Sequence, residues 1–142
     1  MIRAGLAIAA FVLLAALWPG WRRDEAEPGQ AVDAAAFVAE VHAFAARHRR
    51  GEMVAPPPGA VPLLARRFEF WPSLRLEAGQ TYRLRVMAED SVHSLAVRGR
   101  EVLLVPGRVH EIAVTPRVGE EIELRCNEYC GLGHNRMRLR IY

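Results

Sequence analysis

The period of the apolar residues changes once, at Pro56-Pro57-Pro58-Gly59. Upstream, Phe37, Val41 and Phe44 recur at i, i+4, i+7, and Val38 and Ala45 widen the stripe, the spacing of an amphipathic helix. Downstream the period is two. Leu74 and Leu76 flank Arg75; Tyr82, Leu84 and Val86 alternate with Arg83 and Arg85; Ile112 and Val114 follow a turn at Pro106-Gly107; Ile122 and Leu124 alternate with Glu121, Glu123 and Arg125; Leu139 and Ile141 alternate with Arg138 and Arg140. Short half-buried strands separated by Gly and Pro predict an all-β Greek-key β-sandwich or barrel over residues 61–142. That length is enough for a core of its own.

The segment 23–60 is expected to act as a linker. Asp24 to Gln30 is polar with Pro28 and Gly29, an amphipathic helix is predicted over 32–50, and the Pro-rich run forms a stiff spacer. Asp33 can cap the helix. Arg47, His48, Arg49 and Arg50 fall where the dipole favours cations, and Gly51 stops it. His42 and His48 are six residues apart and face different ways, so both are expected in solvent rather than on a shared metal.

Residues 1–22 are expected to form a membrane anchor. Ala4 to Trp21 carries no charge, with Arg3 before it and Arg22-Arg23 after it. As a helix it would span roughly 27 Å against a bilayer core of roughly 30 Å. Trp18 and Trp21 suit the interface. A cleaved signal peptide is the competing reading; Leu17-Trp18-Pro19 stands where a small-x-small cleavage site is needed. Both readings place the rest of the chain outside the cytoplasm, and the single-pass reading puts it on the periplasmic side of the cell membrane. The net charge is +3 and all 19 basic residues are Arg, but they are spread along the chain without interleaved aromatics. That excludes a nucleic-acid patch.

Chemistry concentrates in Cys126-Asn-Glu-Tyr-Cys130-Gly-Leu-Gly-His134-Asn-Arg-Met137. Two potential thiolates, an imidazole and a thioether lie in one loop between two strands. Soft sulfur with imidazole selects copper over hard cations. Gly131 and Gly133 admit the backbone angles of a tight loop. A lone extracytoplasmic Cys pair is otherwise a disulfide. Closing so short a loop contributes only about 2 kcal/mol, however, and His134 and Met137 are the further ligands that copper requires. Zinc rarely takes Met, and a thioredoxin-like motif has two residues between its Cys, not three. His93, in Asp90-Ser-Val-His93-Ser94, is the candidate ligand from outside the loop. His110 has the pattern of an outward, solvated strand position.

These residues resemble subunit II of haem–copper cytochrome c oxidases, the subunit that bears a dinuclear copper centre, and most resemble its ba3-like branch. The pattern Cys-x-Glu/Gln-x-Cys-x3-His-x2-Met stands as Cys126, Glu128, Cys130, His134 and Met137, and Asp-x-x-His-Ser as Asp90, His93 and Ser94. Phe68-Glu-Phe70 through Gly79 resembles the first domain strand, and Val105-Pro106-Gly107 the central turn. The resemblance covers residues 61–142 and implies a cupredoxin-like fold. It implies two copper ions bridged by Cys126 and Cys130. His93 with Met137 would complete one, and His134 with the Glu128 carbonyl the other. The Glu128 side chain would reach a magnesium ion at the subunit I boundary. The implied role is electron entry: from a soluble donor, a cytochrome c or small copper protein, to haem in subunit I, where oxygen is reduced. This chain would itself carry no catalytic residue. The helix and the Pro-rich spacer lie outside the common domain, and the usual acidic docking face is not evident in so Arg-rich a chain. A copper carrier outside the cytoplasm is the alternative. A nitrous oxide reductase needs a further large domain, a blue copper protein uses one Cys, and quinol-oxidising relatives lack the ligands.

Overall fold

A computed structural model describes residues 2–17 and 28–141. The first element is helix α1, Ile2–Leu17, whose apolar side chains from Leu6 to Leu17 are largely exposed. Among the described residues no helix is long and apolar enough to cross a membrane. Trp18 and Trp21, the interfacial end of the expected anchor, lie outside the described residues.

The remainder is a sandwich of two sheets. One has the order β1-β9-β6-β4-β5, built from β1 (Gln30–Ala31), β4 (Gly59–Arg66), β5 (Glu69–Trp71), β6 (Tyr82–Ala88) and β9 (Arg108–Val114). The other has the order β11-β10-β7-β8, from β7 (His93–Val97), β8 (Arg100–Leu104), β10 (Ile122–Arg125) and β11 (Arg138–Ile141). The alternating residues do what the period demands. Tyr82, Leu84 and Val86 of β6, Leu95 of β7, Ile122 and Leu124 of β10 and Ile141 of β11 meet in one core between the sheets.

Strand β4 carries no alternation because both of its faces are covered. Val61, Leu63 and Ala65 enter the inter-sheet core, whereas Leu64 turns the other way, onto Phe37 and Val41 of helix α2, Ala34–His48. It pairs with β6 in parallel, from Gly59↔Tyr82 to Ala65↔Ala88. A strand buried on both faces is a continuous apolar run, without the signal of a half-buried one.

Three expectations for 23–60 are corrected here. The helix ends at His48, and Arg49–Arg50 form strand β2, paired with β3 at Met53–Val54. Asp33 does cap it, accepting the Ala36 amide at 2.7 Å. Nor is the helix part of a linker. It packs on the sheet through Phe37 and Val41 against Leu64, Met87 and Val109, and Glu40 meets Arg85 at 2.6 Å. The Pro-rich run is likewise tied down: Pro56 is buried, and the Ala55 amide bonds the His48 carbonyl at 3.0 Å. Of the strand expected at Leu74–Leu76 only a bridge remains, Leu74 to Val54. His42 is exposed but stacks on Trp71, ring centroids 4.5 Å apart, and His48 lies half-buried against Phe44 at 4.6 Å.

Candidate metal centre

His93 opens β7 with its side chain fully buried, at 0% exposure. Its Nε2 lies 2.8 Å from Asp90 Oδ1. A carboxylate there fixes Nε2 as the protonated nitrogen and leaves the Nδ1 lone pair free for a metal. That Nδ1 faces Cys126 Sγ at 3.9 Å. The Asp90 carboxyl is pushed up by burial, but the His93 hydrogen bond, the Arg67 amide and the nearby charges outweigh this and hold it below the usual range. It stays ionised and keeps its hold on the ring.

The loop from β10 to β11 brings in the sulfur. Cys126 and Cys130 are both free and buried, their Sγ atoms 4.0 Å apart. The disulfide alternative is therefore not adopted. Each sulfur lies beside one imidazole and one weaker donor. Cys126 Sγ lies 3.2 Å from the Glu128 carbonyl oxygen and 3.9 Å from His93 Nδ1. Cys130 Sγ lies 3.8 Å from His134 Nδ1 and 3.7 Å from Met137 Sδ. His93, Cys126 and Cys130 offer ligand atoms that all lie within 4.8 Å of one another. Met137 is buried beneath them, while His134, in a 3-10 turn at His134–Arg136, stands half-buried at the rim. Glu128 enters through its backbone; its side chain is exposed. Burial, reinforced by neighbouring Cys126, pushes the Cys130 thiol up to about 11. A metal must therefore displace a firmly held proton, and copper's affinity for thiolate can do so.

Two residues of the motif hold the loop rather than the metal. Ser94 Oγ accepts the Asn127 amide at 2.8 Å and the Glu128 amide at 3.1 Å, and the Ser94 amide points at Cys126 Sγ at 3.5 Å. Asp90 orients His93. Asp90 stands three residues before His93 in the sequence, close enough to be read as its partner. Gly131 has φ 133°, a region that favours glycine, but Gly133 has φ −97°, open to any residue. The expectation that both glycines serve backbone angles is corrected: at Gly133 an added Cβ would clash with the Phe68 ring, 2.3 Å from its Cδ2. His110 is also corrected. It is half-buried against Gly29 rather than solvated, and burial, with Arg108 nearby, lowers its pKa.

Two buried thiols, two imidazoles, a thioether and a carbonyl at one end of a β-sandwich form a cluster of soft donors, and this donor set fits copper. No protein-family model matches the chain. In sequence the chain is similar to cytochrome c oxidase subunit 2 from Thermus thermophilus, 31% identical over 78 residues. The match takes in 53% of this chain and 58% of that protein; a second subunit 2 from the same species matches at the same identity over 46% of its length. The chain thus spans about half the length of the curated relatives it matches. In structure it resembles a chain of a heme-copper terminal oxidase dimer, TM-score 0.56 at 19% identity, covering 99% of this chain and 92% of that one. It also resembles the periplasmic domain of subunit II of cytochrome oxidase from Bradyrhizobium japonicum, TM-score 0.52 at 15% identity, covering 58% of this chain and 80% of that one.

Proposed function

We propose that this chain is the electron-entry subunit of a haem–copper terminal oxidase. The observation that carries the reading is the arrangement about Cys126 and Cys130: each sulfur has one imidazole neighbour and one weaker donor beside it. Cys126 and Cys130 would bridge two copper ions, with His93 and Met137 on one and His134 and the Glu128 carbonyl on the other. Such a pair, when bound, supplies a one-electron carrier. The chain's part is to hold the ligands rigidly. Burial of His93, Cys126 and Met137 excludes water, and the hydrogen bonds of Asp90 and Ser94 keep the geometry alike in both oxidation states.

On this reading a soluble donor, a cytochrome c or small copper protein, delivers electrons on the exposed side of the loop. Haem in subunit I receives them, and oxygen is reduced there and not on this chain. The exposed Glu128 carboxylate is free to meet a magnesium ion at that boundary. The apolar segment 4–21 would anchor the chain as a single pass, with the copper domain on the periplasmic side of the cell membrane. An extracytoplasmic copper carrier would need ligands open to exchange, and His93 at 0% exposure with Met137 at 1% is the opposite arrangement.

Copper analysis with electron paramagnetic resonance tests the proposal. The expected result is two coppers per chain and a spectrum in which one unpaired electron couples to both nuclei. One copper with a four-line spectrum would overturn the dinuclear reading. Purification from native membranes without a haem-bearing subunit would overturn the oxidase.

A further inference from the structure

Two segments of the four-stranded sheet supply every metal-ligand candidate: residues 90–94 leading into β7, and the β10–β11 loop. The turn between β4 and β5, Arg67-Phe68, belongs to the other sheet and contributes no ligand, yet it grips both segments. The Arg67 amide donates to Asp90 Oδ2 at 3.0 Å, while Asp90 Oδ1 holds His93. The Arg67 guanidinium reaches the other way, its Nε donating to the Cys130 carbonyl at 3.2 Å. The neighbouring Phe68 ring lies flush on the copper loop. A Cβ at Gly131 would come within 3.1 Å of it, and one at Gly133 within 2.3 Å, a direct clash.

We propose that the Arg67-Phe68 turn is a clamp on the metal centre, with Arg67 raising its reduction potential and Phe68 slowing release of its metal. The inference rests on the copper reading above. Two effects act at Arg67. A fixed positive charge beside the centre disfavours the more positive, oxidised state. A charged donor on the Cys130 carbonyl draws electron density from the residue that bears a bridging thiolate. At Phe68 the effect is steric. The ring fills the space that two glycines leave open, so the loop cannot swing outward without losing that contact. Arg67 and Phe68 are positioning residues, since neither touches the metal.

Midpoint potential and the rate of copper loss to a chelator, measured on the full-length copper-loaded protein, test both halves. Arg67→Met is expected to keep two coppers and lower the midpoint, with Arg67→Lys in between because it retains charge but not the guanidinium geometry. An unchanged midpoint in Arg67→Met would overturn Arg67's role. Phe68→Ala is expected to accelerate copper loss at least tenfold, and Phe68→Leu less. Gly133→Ala is expected to disrupt loading, and adding Phe68→Ala is expected to restore it by making room for the methyl group, a coupling that a double-mutant cycle measures. Equal copper loss from Phe68→Ala, Phe68→Leu and the parent, or no rescue in the double variant, would overturn Phe68's role. A parent protein that binds no copper would remove the copper reading itself, and the clamp with it; the outcomes above arise only when the parent loads.

Discussion

Asp90 takes the Nε2 hydrogen of His93 and leaves Nδ1 turned toward Cys126, so a residue outside the donor cluster decides which nitrogen faces the sulfur. Asp90→Ala is expected to weaken copper binding about 10–100-fold, the usual consequence of losing such an orienting partner; a competition titration at fixed pH measures it. The ligands themselves differ in weight. On the dinuclear reading, Cys126→Ser would remove a bridge to both metals and is expected to abolish the paired-copper spectrum, whereas Met137→Leu would remove one weak thioether and is expected to leave two coppers with a shifted midpoint. Metal analysis of the two variants side by side distinguishes them, and complete copper loss in Met137→Leu would overturn the assigned roles. That Cys126, Cys130, His134 and Met137 come together was legible because one short loop carries all four. Arg67 was not, because its contact with Cys130 spans 63 positions and no local pattern records it. Gly133 misled, since a glycine kept for a neighbour's ring looks in sequence like one kept for its backbone.

Helix α2 joins the domain through Phe37 and Val41, both buried, and it covers the face of β4 that Leu64 presents. Phe37→Ala is therefore expected to cost about 3–5 kcal/mol, as for a core aromatic, in urea unfolding followed by the fluorescence of Trp71; a free linker helix would give no change. Strand β9 offers a second test. Burial, then Arg108, puts the pKa of His110 below its ordinary 6.5. As pH falls through that value the unfolded chain binds the proton first, so this residue's contribution to stability is lost toward acid and regained as pH rises. His110→Gln is expected to flatten the fall in stability below pH 6.5, read from unfolding midpoints across a pH series. The half-exposed strands β6, β9, β10 and β11 were legible from alternation. β4 was not, since α2 supplies its second cover from a part of the chain that the sequence reads as a linker.

Across the whole molecule, opposite charges are interleaved on the sheet surfaces: Arg98 with Glu120, Arg83 with Glu111, and Arg140 with Glu121 and Glu123. Exposed pairs of this kind add little to stability, but they leave the net charge of +3 spread thinly. Around the copper loop, Tyr129, Leu132 and Val92 are exposed apolar side chains. An acidic donor is expected to be oxidised faster than a strongly basic one at low salt, and the difference to shrink as the screening length falls to about 10 Å at 0.1 M. Leu132→Ser is expected to slow both donors alike, without changing the dependence on salt. Stopped-flow traces across a salt series measure both effects; a faster basic donor at low salt would mean that the glutamates near the loop outweigh the net charge.

Four ligand side chains lie within the twelve residues from Cys126 to Met137, and the fifth, His93, opens a strand far away in sequence. The four travel together even in a chain with no fold at all, so on the copper reading the metal would have affinity for the unfolded state as well as the native one. The metal lends the fold only the difference between those affinities. Nearly all of that difference must come from what folding adds to the loop: His93 with its carboxylate, the serine beneath the loop and the ring above it. On the copper reading, the closing of the two sheets is what would make the loop's hold on the metal lasting.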